Sequence, residues 1–304
     1  MIVVTGATGQ LGRAIVEQLV ARVSADKVGA SVRNPEKAAD LQALGVRVRQ
    51  GDFAAPASLE HAFEGATQVL IVSSNAAAYG GDPLAQHRAA ITAALAAGVG
   101  RIVYTSHMAV SATSAFPPMR DHHATEAMLR ESGLAWTALR HGFYAASGVA
   151  LMGDALTTGV FEAPADGAVS WTAHADLAEA AARVLADAGR YDGPTPPFTG
   201  SEALDLAGLA SIASDLTGRF VQRKTLLDEE LRTRMAARGA PVRAAEITLG
   251  LFAASRNGEF AAVDPTLERL LGRRPTSMRD VIAERVRGEQ RGSAHGNPGT
   301  AASD

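Results

Sequence analysis

A glycine-rich turn near the start of the chain limits the folds that this sequence can adopt. The residues Gly6-Ala7-Thr8-Gly9-Gln10-Leu11-Gly12 follow a short apolar run and precede an amphipathic segment. Between a strand and a helix, such glycines allow a tight turn, close approach of a ligand and close helix–strand packing. The free amides and the helix dipole then favour a phosphate. The segment therefore predicts a pyrophosphate cradle formed by Gly6, Thr8, Gly9, Gln10, Leu11 and Gly12. The glycines follow the spacing GxxGxxG rather than GxGxxG. The alternative to a phosphate-binding function is that these glycines only form a structural turn.

Apolar, β-branched runs alternate with helical patterns through the first half of the chain. Six strands are predicted, at Ile2–Val4, Val28–Val32, Val46–Arg49, Gln68–Val72, Arg101–Thr105 and Trp136–Leu139. The helices between them are predicted at Gln10–Ala21, Pro35–Ala43, Pro56–Phe63, Pro83–Ala97 and Met119–Glu131. Strands joined by helices give right-handed crossovers and a parallel sheet that is covered on both faces. The fold class is therefore α/β, a Rossmann doubly wound parallel sheet over residues 1–145, with ligands at the carboxyl ends of the strands.

The pattern changes after Tyr144 and predicts a smaller, mostly helical C-terminal lobe over residues 146–288. Its helices are expected at Tyr144–Leu156, Ala175–Ala188, Leu204–Thr217, Asp228–Arg238 and Val242–Ser255. Short strands are expected at Val160–Phe161 and Phe220–Gln222, and a loop at Gly193–Pro197. Later segments are expected to contribute to the first domain. The polar tail, 289–304, is rich in small residues and is expected to be disordered.

Composition narrows the classes of function. The net charge of −3 supplies no basic footprint, so nucleic acid is not an expected partner. The chain has no cysteine, which excludes disulfides, thiol nucleophiles and zinc held by cysteine. The first residues lack the pattern of a signal peptide, and no long apolar run indicates a membrane span. These features predict a cytoplasmic protein.

The end of the second predicted strand carries a basic rather than an acidic residue. Chains of this fold that bind NAD usually place Asp or Glu there, against the ribose hydroxyls. Here the strand ends Ser31-Val32-Arg33-Asn34, and Lys37 follows about one helical turn later. A carboxylate would repel a 2′-phosphate, whereas Arg33 can form a forked, charge-assisted pair with it. The sequence therefore predicts NADP(H), held by Arg33 and Lys37; the alternative is that Arg33 is a solvated surface residue.

Polar residues follow the third and fourth predicted strands. Asp52 could accept a hydrogen bond from the adenine amino group with Phe53 beside the ring, or it could cap the following loop. Ser73, Ser74 and Asn75 follow strand four, where the chain of a dinucleotide fold passes the ribose. These short side chains suit hydrogen bonds to the ribose or nicotinamide, and a plain polar turn is the alternative.

The fifth strand ends Tyr104-Thr105-Ser106-His107, at the edge that faces the nicotinamide in this fold. Thr105 is expected beside the cofactor, and Ser106 or His107 could bond a carbonyl substrate. His122 and Glu126 on the next helix are four residues apart and share a face. This pair could orient an imidazole for proton transfer, or it could be an ordinary surface ion pair.

The neighbouring His122 and His123 are not expected to form a metal site. No third ligand stands at metal-binding spacing, so no metal is expected. After the sixth strand, Phe143 and Tyr144 would form the wall where the two parts of the molecule meet. They could pack over a flat substrate, or they could belong to the core between the domains.

The sequence resembles the atypical short-chain dehydrogenase/reductases of the NmrA-like family. The resemblance runs from residue 1 to about 285 and rests on GATGQLG, VRNPEKA, GDF, YTS, TEAMLRESGLAWTALRHGFY and LLGRRPTSMRD. Within the family, the chain is most similar to QorB-type NAD(P)H:quinone oxidoreductases, with triphenylmethane reductases close behind. The resemblance implies NADPH as cofactor, bound by the Gly6–Gly12 turn and Arg33, and a substrate cleft between the two lobes.

The chain departs from the Tyr-x-x-x-Lys acid of the wider superfamily, because His122 and Pro118 would occupy those positions. A quinone accepts hydride readily, and its reduced oxyanion is a weak base, so positioning and a solvent proton can suffice. We therefore expect hydride transfer from NADPH to a quinone or a similar flat, electron-poor small molecule. Ser106, His107, His122 and Tyr144 are the candidate catalytic residues.

Two other functions are considered: one agrees with the absence of the Tyr–Lys pair, and the other agrees with the fold. One is an NADP(H)-binding redox sensor of the NmrA type that regulates a partner without turnover. The other is a nucleotide-sugar epimerase, which the missing Tyr–Lys pair disfavours because that chemistry moves a proton at an alcohol. A homodimer remains an open possibility.

Overall fold

The computed structural model describes residues 1–295. Its strands are β1 (Ile2–Thr5), β2 (Val28–Val32), β3 (Arg47–Gln50), β4 (Gln68–Ile71), β5 (Arg101–His107), β6 (Ala135–His141), β7 (Phe143–Tyr144), β8 (Val160–Pro164), β9 (Trp171–Thr172), β10 (Gly193–Pro194) and β11 (Gln222–Leu226). Its helices are α1 (Gln10–Val20), α2 (Ala39–Ala43), α3 (Pro56–Phe63), α4 (Pro83–Ala96), α5 (Pro117–Glu131), α6 (Ala145–Met152), α7 (Ala155–Thr158), α8 (His174–Ala186), α9 (Leu206–Thr217), α10 (Asp228–Ala237), α11 (Val242–Arg256), α12 (Thr266–Leu271) and α13 (Met278–His295).

One parallel sheet organises the larger part of the molecule. Its seven strands run in the order β10-β6-β5-β4-β1-β2-β3, so the direction of winding reverses between β1 and β4. Every residue of β1, β2 and β4 is buried, as expected for strands that helices cover on both faces. The reversal creates a crevice at the carboxyl ends of β1 and β4, which is where a doubly wound sheet binds its ligands. The predicted α/β Rossmann fold is confirmed.

The C-terminal half does not form a lobe that is continuous in sequence. A parallel pair, β8 with β11, packs with α6, α9, α11 and α13 around Phe161, Phe252 and Phe260. The chain also returns to the sheet: α8 packs Leu177 and Leu185 into the core beside α1, and β10 extends the sheet beyond β6. The expected contribution of later segments to the first domain is therefore visible, while the limits of the two domains stay a prediction.

Several expected elements differ from those observed; the helix expected at Pro35–Ala43 is a short 3-10 helix, Pro35–Ala38, followed by α2. The expected loop at Gly193–Pro197 begins with β10, so the sheet has a seventh strand. The helix expected at Tyr144–Leu156 is two helices, because Gly153 adopts a φ of 54° between α6 and α7. The strand expected at Phe220–Gln222 starts only at Gln222 and continues to Leu226. Within the expected disordered tail, α13 continues through His295; residues 296–304 lie outside the described residues.

No helix in residues 1–295 combines the length and apolar character needed to cross a bilayer. In the same residues, no three His, Asp or Glu side chains are grouped so that they could hold a metal ion.

Candidate active site

The glycine turn between β1 and α1 fits a pyrophosphate. Gly6 has a φ of 59°, and its carbonyl accepts a hydrogen bond from the Gly9 amide at 2.9 Å. A Cβ atom at Gly12 would stand 2.4 Å from the Gly6 carbonyl oxygen, so only glycine permits this approach of helix to strand. No side chain caps the N-terminus of α1, which leaves its first amides for an anion. Thr8, Gly9 and Gln10 are exposed there, whereas the Leu11 side chain is buried in the core.

The end of β2 supplies the basic residues that NADP(H) requires. Arg33 and Lys37 are exposed, and neither cationic group has an ion pair or hydrogen bond within the described residues. Asn34 caps the short 3-10 helix Pro35–Ala38 by accepting a hydrogen bond from the Glu36 amide at 3.0 Å. No carboxylate occupies the end of the strand, so its chemistry fits a 2′-phosphate. Contact of Arg33 and Lys37 with that phosphate stays a prediction.

Asp52 closes a turn after β3. Its Oδ1 accepts a hydrogen bond from the Ala54 amide at 3.0 Å, and its own amide donates to Ser58 Oγ at 2.9 Å. These bonds support the loop-capping interpretation. Phe53 is half-buried and packs against the core cluster that contains Leu59. Contact of Asp52 or Phe53 with adenine is untested and stays a prediction.

A cavity of about 290 Å³ lies at the carboxyl ends of β4 and β5, between the sheet and the C-terminal half. The expected residues that line it are Ser73, Ser74, Asn75, Ser106, His107, His122, Phe143 and Tyr144. The lining residues that were not among the expected site residues include His87, Tyr104, Phe116, Met119, Asp121, Ser147 and Ile247. The structure therefore brings together all the candidate catalytic residues in one mainly apolar cavity.

Hydrogen bonds to side chains fix the backbone that follows β4. The Val72 amide donates to Thr5 Oγ1 at 2.9 Å, and the Ser73 amide donates to Thr105 Oγ1 at 2.8 Å. The Ser74 amide donates to His87 Nε2 at 2.8 Å. Thr105 is fully buried and does not line the cavity, so in this structure its hydroxyl positions Ser73. Its expected contact with the cofactor remains untested.

His87 is a neutral structural histidine at the back of the cavity. The Thr125 hydroxyl donates to the Asp121 carbonyl at 2.8 Å, so it can only accept a bond from His87 Nδ1, 2.9 Å away. The proton therefore sits on Nδ1, and Nε2 is free to accept the Ser74 amide. Burial lowers the pKa of His87 to about 4, which keeps this tautomer neutral.

His122 meets a tyrosine rather than the expected glutamate. Its Nδ1 lies 2.7 Å from the Tyr104 hydroxyl oxygen. Burial raises the pKa of Tyr104, which is fully enclosed, and lowers the pKa of His122 well below its ordinary value. A protonated phenol beside a neutral imidazole must donate to Nδ1, so the ring proton of His122 sits on Nε2. His122 lines the cavity, and no hydrogen bond within the described residues occupies its Nε2–H group, so this group can donate to a bound molecule.

Glu126 belongs to a different network. Its side chain is almost fully buried, accepts the Ser106 hydroxyl at 2.7 Å and forms an ion pair with Arg140 at 2.8 Å. Both expected forms of a His122–Glu126 pair are therefore wrong, because a buried carboxylate takes the strongest donors within reach. Because the Ser106 hydroxyl donates its hydrogen bond to Glu126, it can only accept hydrogen bonds from a molecule in the cavity.

Neutral and aromatic rings form the remaining wall. His107 Nδ1 accepts the Ala109 amide at 3.1 Å, and burial lowers the pKa of His107 to about 3. The His107 ring lies edge-on to Phe143, with the centroids 5.4 Å apart. The Tyr144 ring is tilted against that of His174, with the centroids 4.4 Å apart, and burial raises the pKa of Tyr144 to about 12. These groups stay uncharged at neutral pH and supply apolar surface for a flat molecule.

The lining residues that the sequence analysis did not predict fall into two groups, one with a local sequence signal and one without. Tyr104 is the first residue of the YTSH motif, and its alternation with Ser106 in β5 places both on one face of the sheet. Ser147 on α6 and Ile247 on α11 carry no local signal, because long-range packing of the C-terminal half brings them to the cavity. Only the tertiary structure identifies such residues.

The turn, the sheet and the cavity together define a dinucleotide-dependent oxidoreductase of the Rossmann class. Residues 6–188 match a family model described as NAD(P)H-binding. The chain belongs to this NAD(P)H-binding family.

Individual relatives agree with this assignment. Quinone oxidoreductase 2 of Escherichia coli is 36% identical over 93% of this chain and 98% of its own length. The crystal structure of the E. coli enzyme with NADPH has a TM-score of 0.87 and 35% identity, and the match covers 94% of this chain and 100% of that one. The Citrobacter triphenylmethane reductase, crystallised with NADP(H), has a TM-score of 0.83 and 31% identity, over 93% and 99% of the two chains.

A fungal relative extends the same pattern. The NmrA-like family domain-containing oxidoreductase flvB of Aspergillus flavus is 30% identical, over 92% of this chain and 93% of its own length. The NmrA-like resemblance and the prediction of an NADPH-dependent reductase are confirmed, and the regulatory alternative is not favoured. The roles of individual site residues stay predictions.

Proposed function

We propose that this reductase uses NADPH to reduce a quinone or a similar flat, electron-poor acceptor in the cavity at the ends of β4 and β5. The observation that carries the proposal is the His122 Nε2–H donor, fixed by Tyr104 in a cavity with an aromatic wall. The names of the E. coli and Citrobacter relatives support an acceptor with conjugated rings. A small-molecule acceptor agrees with the enclosed site; a cytoplasmic location and a homodimer remain predictions.

The chain's own groups perform three tasks. When bound, NADPH supplies the hydride. Phe116 and Phe143 hold the acceptor ring and exclude water, which strengthens every polar contact in the cavity. His122 Nε2–H donates to the acceptor oxygen as negative charge develops on it.

His122 acts as a hydrogen-bond donor rather than as the final source of the proton. Giving up the Nε2 proton would require Nδ1 to take a proton from Tyr104, and the raised pKa of Tyr104 opposes this. A hydroquinone anion is weakly basic, so stabilisation by a donor suffices and solvent supplies the proton. This arrangement replaces the missing Tyr-x-x-x-Lys acid.

The test is oxidation of NADPH by naphthoquinone, followed by the near-ultraviolet absorbance of the reduced cofactor, with NADH assayed in parallel. We expect turnover that depends on the protein and on the quinone, with NADPH preferred. Tight NADP(H) binding by calorimetry without oxidation of NADPH would contradict the proposal and restore the sensor interpretation.

A further inference from the structure

Asp121 is the one residue lining the cavity, within the described chain, whose side chain is charged at neutral pH. It lies on α5, immediately before His122. The three histidines of the lining, His87, His107 and His122, are neutral because burial lowers the pKa of each. The other lining side chains are apolar, hydroxyl or amide groups. A single carboxylate therefore determines the electrostatic character of this apolar cavity.

The Asp121 carboxylate is unengaged within residues 1–295. Its carbonyl oxygen accepts the Thr125 hydroxyl, but no hydrogen bond or ion pair satisfies the carboxylate oxygens. Partial burial raises the pKa of Asp121 from its ordinary value of 3.8. An unsatisfied, half-buried carboxylate gains from any cation that enters the cavity.

The other charged groups that act on Asp121 do not line the cavity. Arg120 and Arg243 are close enough to act on Asp121, and Asp82 opposes them. Arg243 lies 3.8 Å from Glu246 on the same helix, and none of these four residues lines the cavity. The groups that act on Asp121 therefore lie outside the cavity lining, and the Asp121 carboxylate is the lining charge that a bound acceptor meets.

We propose that Asp121 is a specificity-determining residue that sorts acceptors by charge, favouring cationic aromatic molecules and rejecting anionic ones. The inference rests on the proposed function, because it concerns the acceptor of the same reaction. Neutral quinones enter the cavity without a contribution from Asp121. An acceptor with a sulfonate or carboxylate group meets a like charge in a region of low dielectric.

The two kinds of acceptor need different protein groups. A neutral quinone takes up a hydride and one proton and becomes a hydroquinone, while NADPH becomes NADP⁺. A cationic dye such as methylene blue takes up the hydride alone and becomes its neutral leuco form, with no proton and no oxyanion. In the second case the nicotinamide ring and the dye together keep a charge of +1 throughout the hydride transfer. Asp121 therefore stabilises the bound state and the transition state alike, which lowers KM and leaves kcat nearly unchanged.

The experiment compares the intact protein with Asp121→Asn, using methylene blue, naphthoquinone and naphthoquinone sulfonate as acceptors. For Asp121→Asn we expect the KM for methylene blue to rise about tenfold and the KM for the sulfonate to fall by a similar factor. The kcat values and the KM for naphthoquinone should stay within about twofold. Glu131→Gln, an exposed carboxylate at the end of the same helix, is the matched control and should change none of these values.

Two results would overturn the inference: equal changes for all three acceptors, or no change for methylene blue. If the unmodified protein oxidises NADPH with none of the three acceptors, the proposed function fails separately from this inference. Binding of methylene blue to the NADP⁺-loaded protein, followed by its visible absorbance, then decides the matter. A Kd that rises about tenfold in Asp121→Asn supports the inference, and an unchanged Kd refutes it.

Discussion

The Tyr104 hydroxyl and His122 Nδ1 are 2.7 Å apart in the wall of the cavity. This bond joins β5 to α5 and determines which nitrogen of His122 can reach a bound acceptor. It replaces the His122–Glu126 contact that the spacing on the helix suggests.

His122→Ala should lower kcat for naphthoquinone by about tenfold to a hundredfold, because one preorganised donor to the developing oxyanion is lost. The rate with methylene blue should hardly change, since that acceptor forms no oxyanion. His123→Ala removes the exposed neighbouring histidine and is the matched control. Steady-state kinetics with both acceptors would show the contrast; equal losses with both acceptors would count against His122 as the donor.

Tyr104→Phe should leave the His122 ring in place but remove the hydrogen bond that selects its Nε2–H tautomer. We expect kcat for naphthoquinone to fall about threefold to tenfold, a smaller loss than in His122→Ala, because the Nε2–H form is then only partly populated. Nitrogen NMR of the labelled histidine should show a single Nε2–H tautomer in the unmodified protein and a mixture in the variant. An unchanged NMR signature would mean that Tyr104 does not position His122.

Arg140→Met should be strongly destabilising, by about 3–5 kcal/mol, because it leaves the Glu126 carboxylate buried without its cation. The double variant that also carries Glu126→Met should recover much of that loss, since no buried charge remains. Urea unfolding measures both, with Arg88→Met on exposed surface as the control. A double variant less stable than Arg140→Met would contradict this interpretation.

Stability should fall as the pH drops below 6.5, the ordinary pKa of histidine. Burial lowers the folded-state pKa of His87 to about 4 and those of His107 and His141 to about 3. Between those values and 6.5 the unfolded chain binds protons that the folded chain does not. Each histidine should then lower the free energy of unfolding by about 1.4 kcal/mol per pH unit.

His141, with neither ring nitrogen bonded in the described residues, offers the clearest check of this pH dependence. Replacing His141 by Phe should make the unfolding free energy less dependent on pH between 4 and 6.5; an unchanged slope would contradict the assignment.

Arg33→Ala should raise the KM for NADPH by about tenfold to a hundredfold and leave that for NADH nearly unchanged, because only NADPH carries the 2′-phosphate. Arg232→Ala, on the exposed face of α10, is the control. Parallel titrations with both cofactors measure the effect. Equal weakening for NADPH and NADH would show that Arg33 does not contact the phosphate.

Local sequence signals predicted the individual strands and helices and the glycine turn, because apolar periodicity and turn residues are visible in neighbouring positions. The strand at Val28–Val32 and the helix at Pro56–Phe63 match the observed bounds, since apolar periodicity and a leading proline define them. The short β10 was missed because Gly193 and Pro194 have no strand propensity. It forms only because β6 offers an open edge.

The chemistry of the candidate site was less predictable from sequence. The i,i+4 spacing correctly places His122 and Glu126 on one helix, but it cannot say which strand supplies their partners. Those partners, Tyr104 and Arg140, lie on β5 and β6, and their proximity depends on how α5 packs against the sheet. The charge of Asp121 in the cavity was likewise not predictable, because it stands out only once burial is seen to keep the lining histidines neutral.

The most direct test of the central claim is an anaerobic single-turnover experiment with the NADPH-loaded protein and naphthoquinone. Cofactor and quinone absorbance are followed together after rapid mixing. The structure predicts that NADPH is consumed in a one-to-one ratio with the quinone and at least as fast as the steady-state rate. Retention of bound NADPH while the quinone stays oxidised would contradict a quinone reductase built around this cavity.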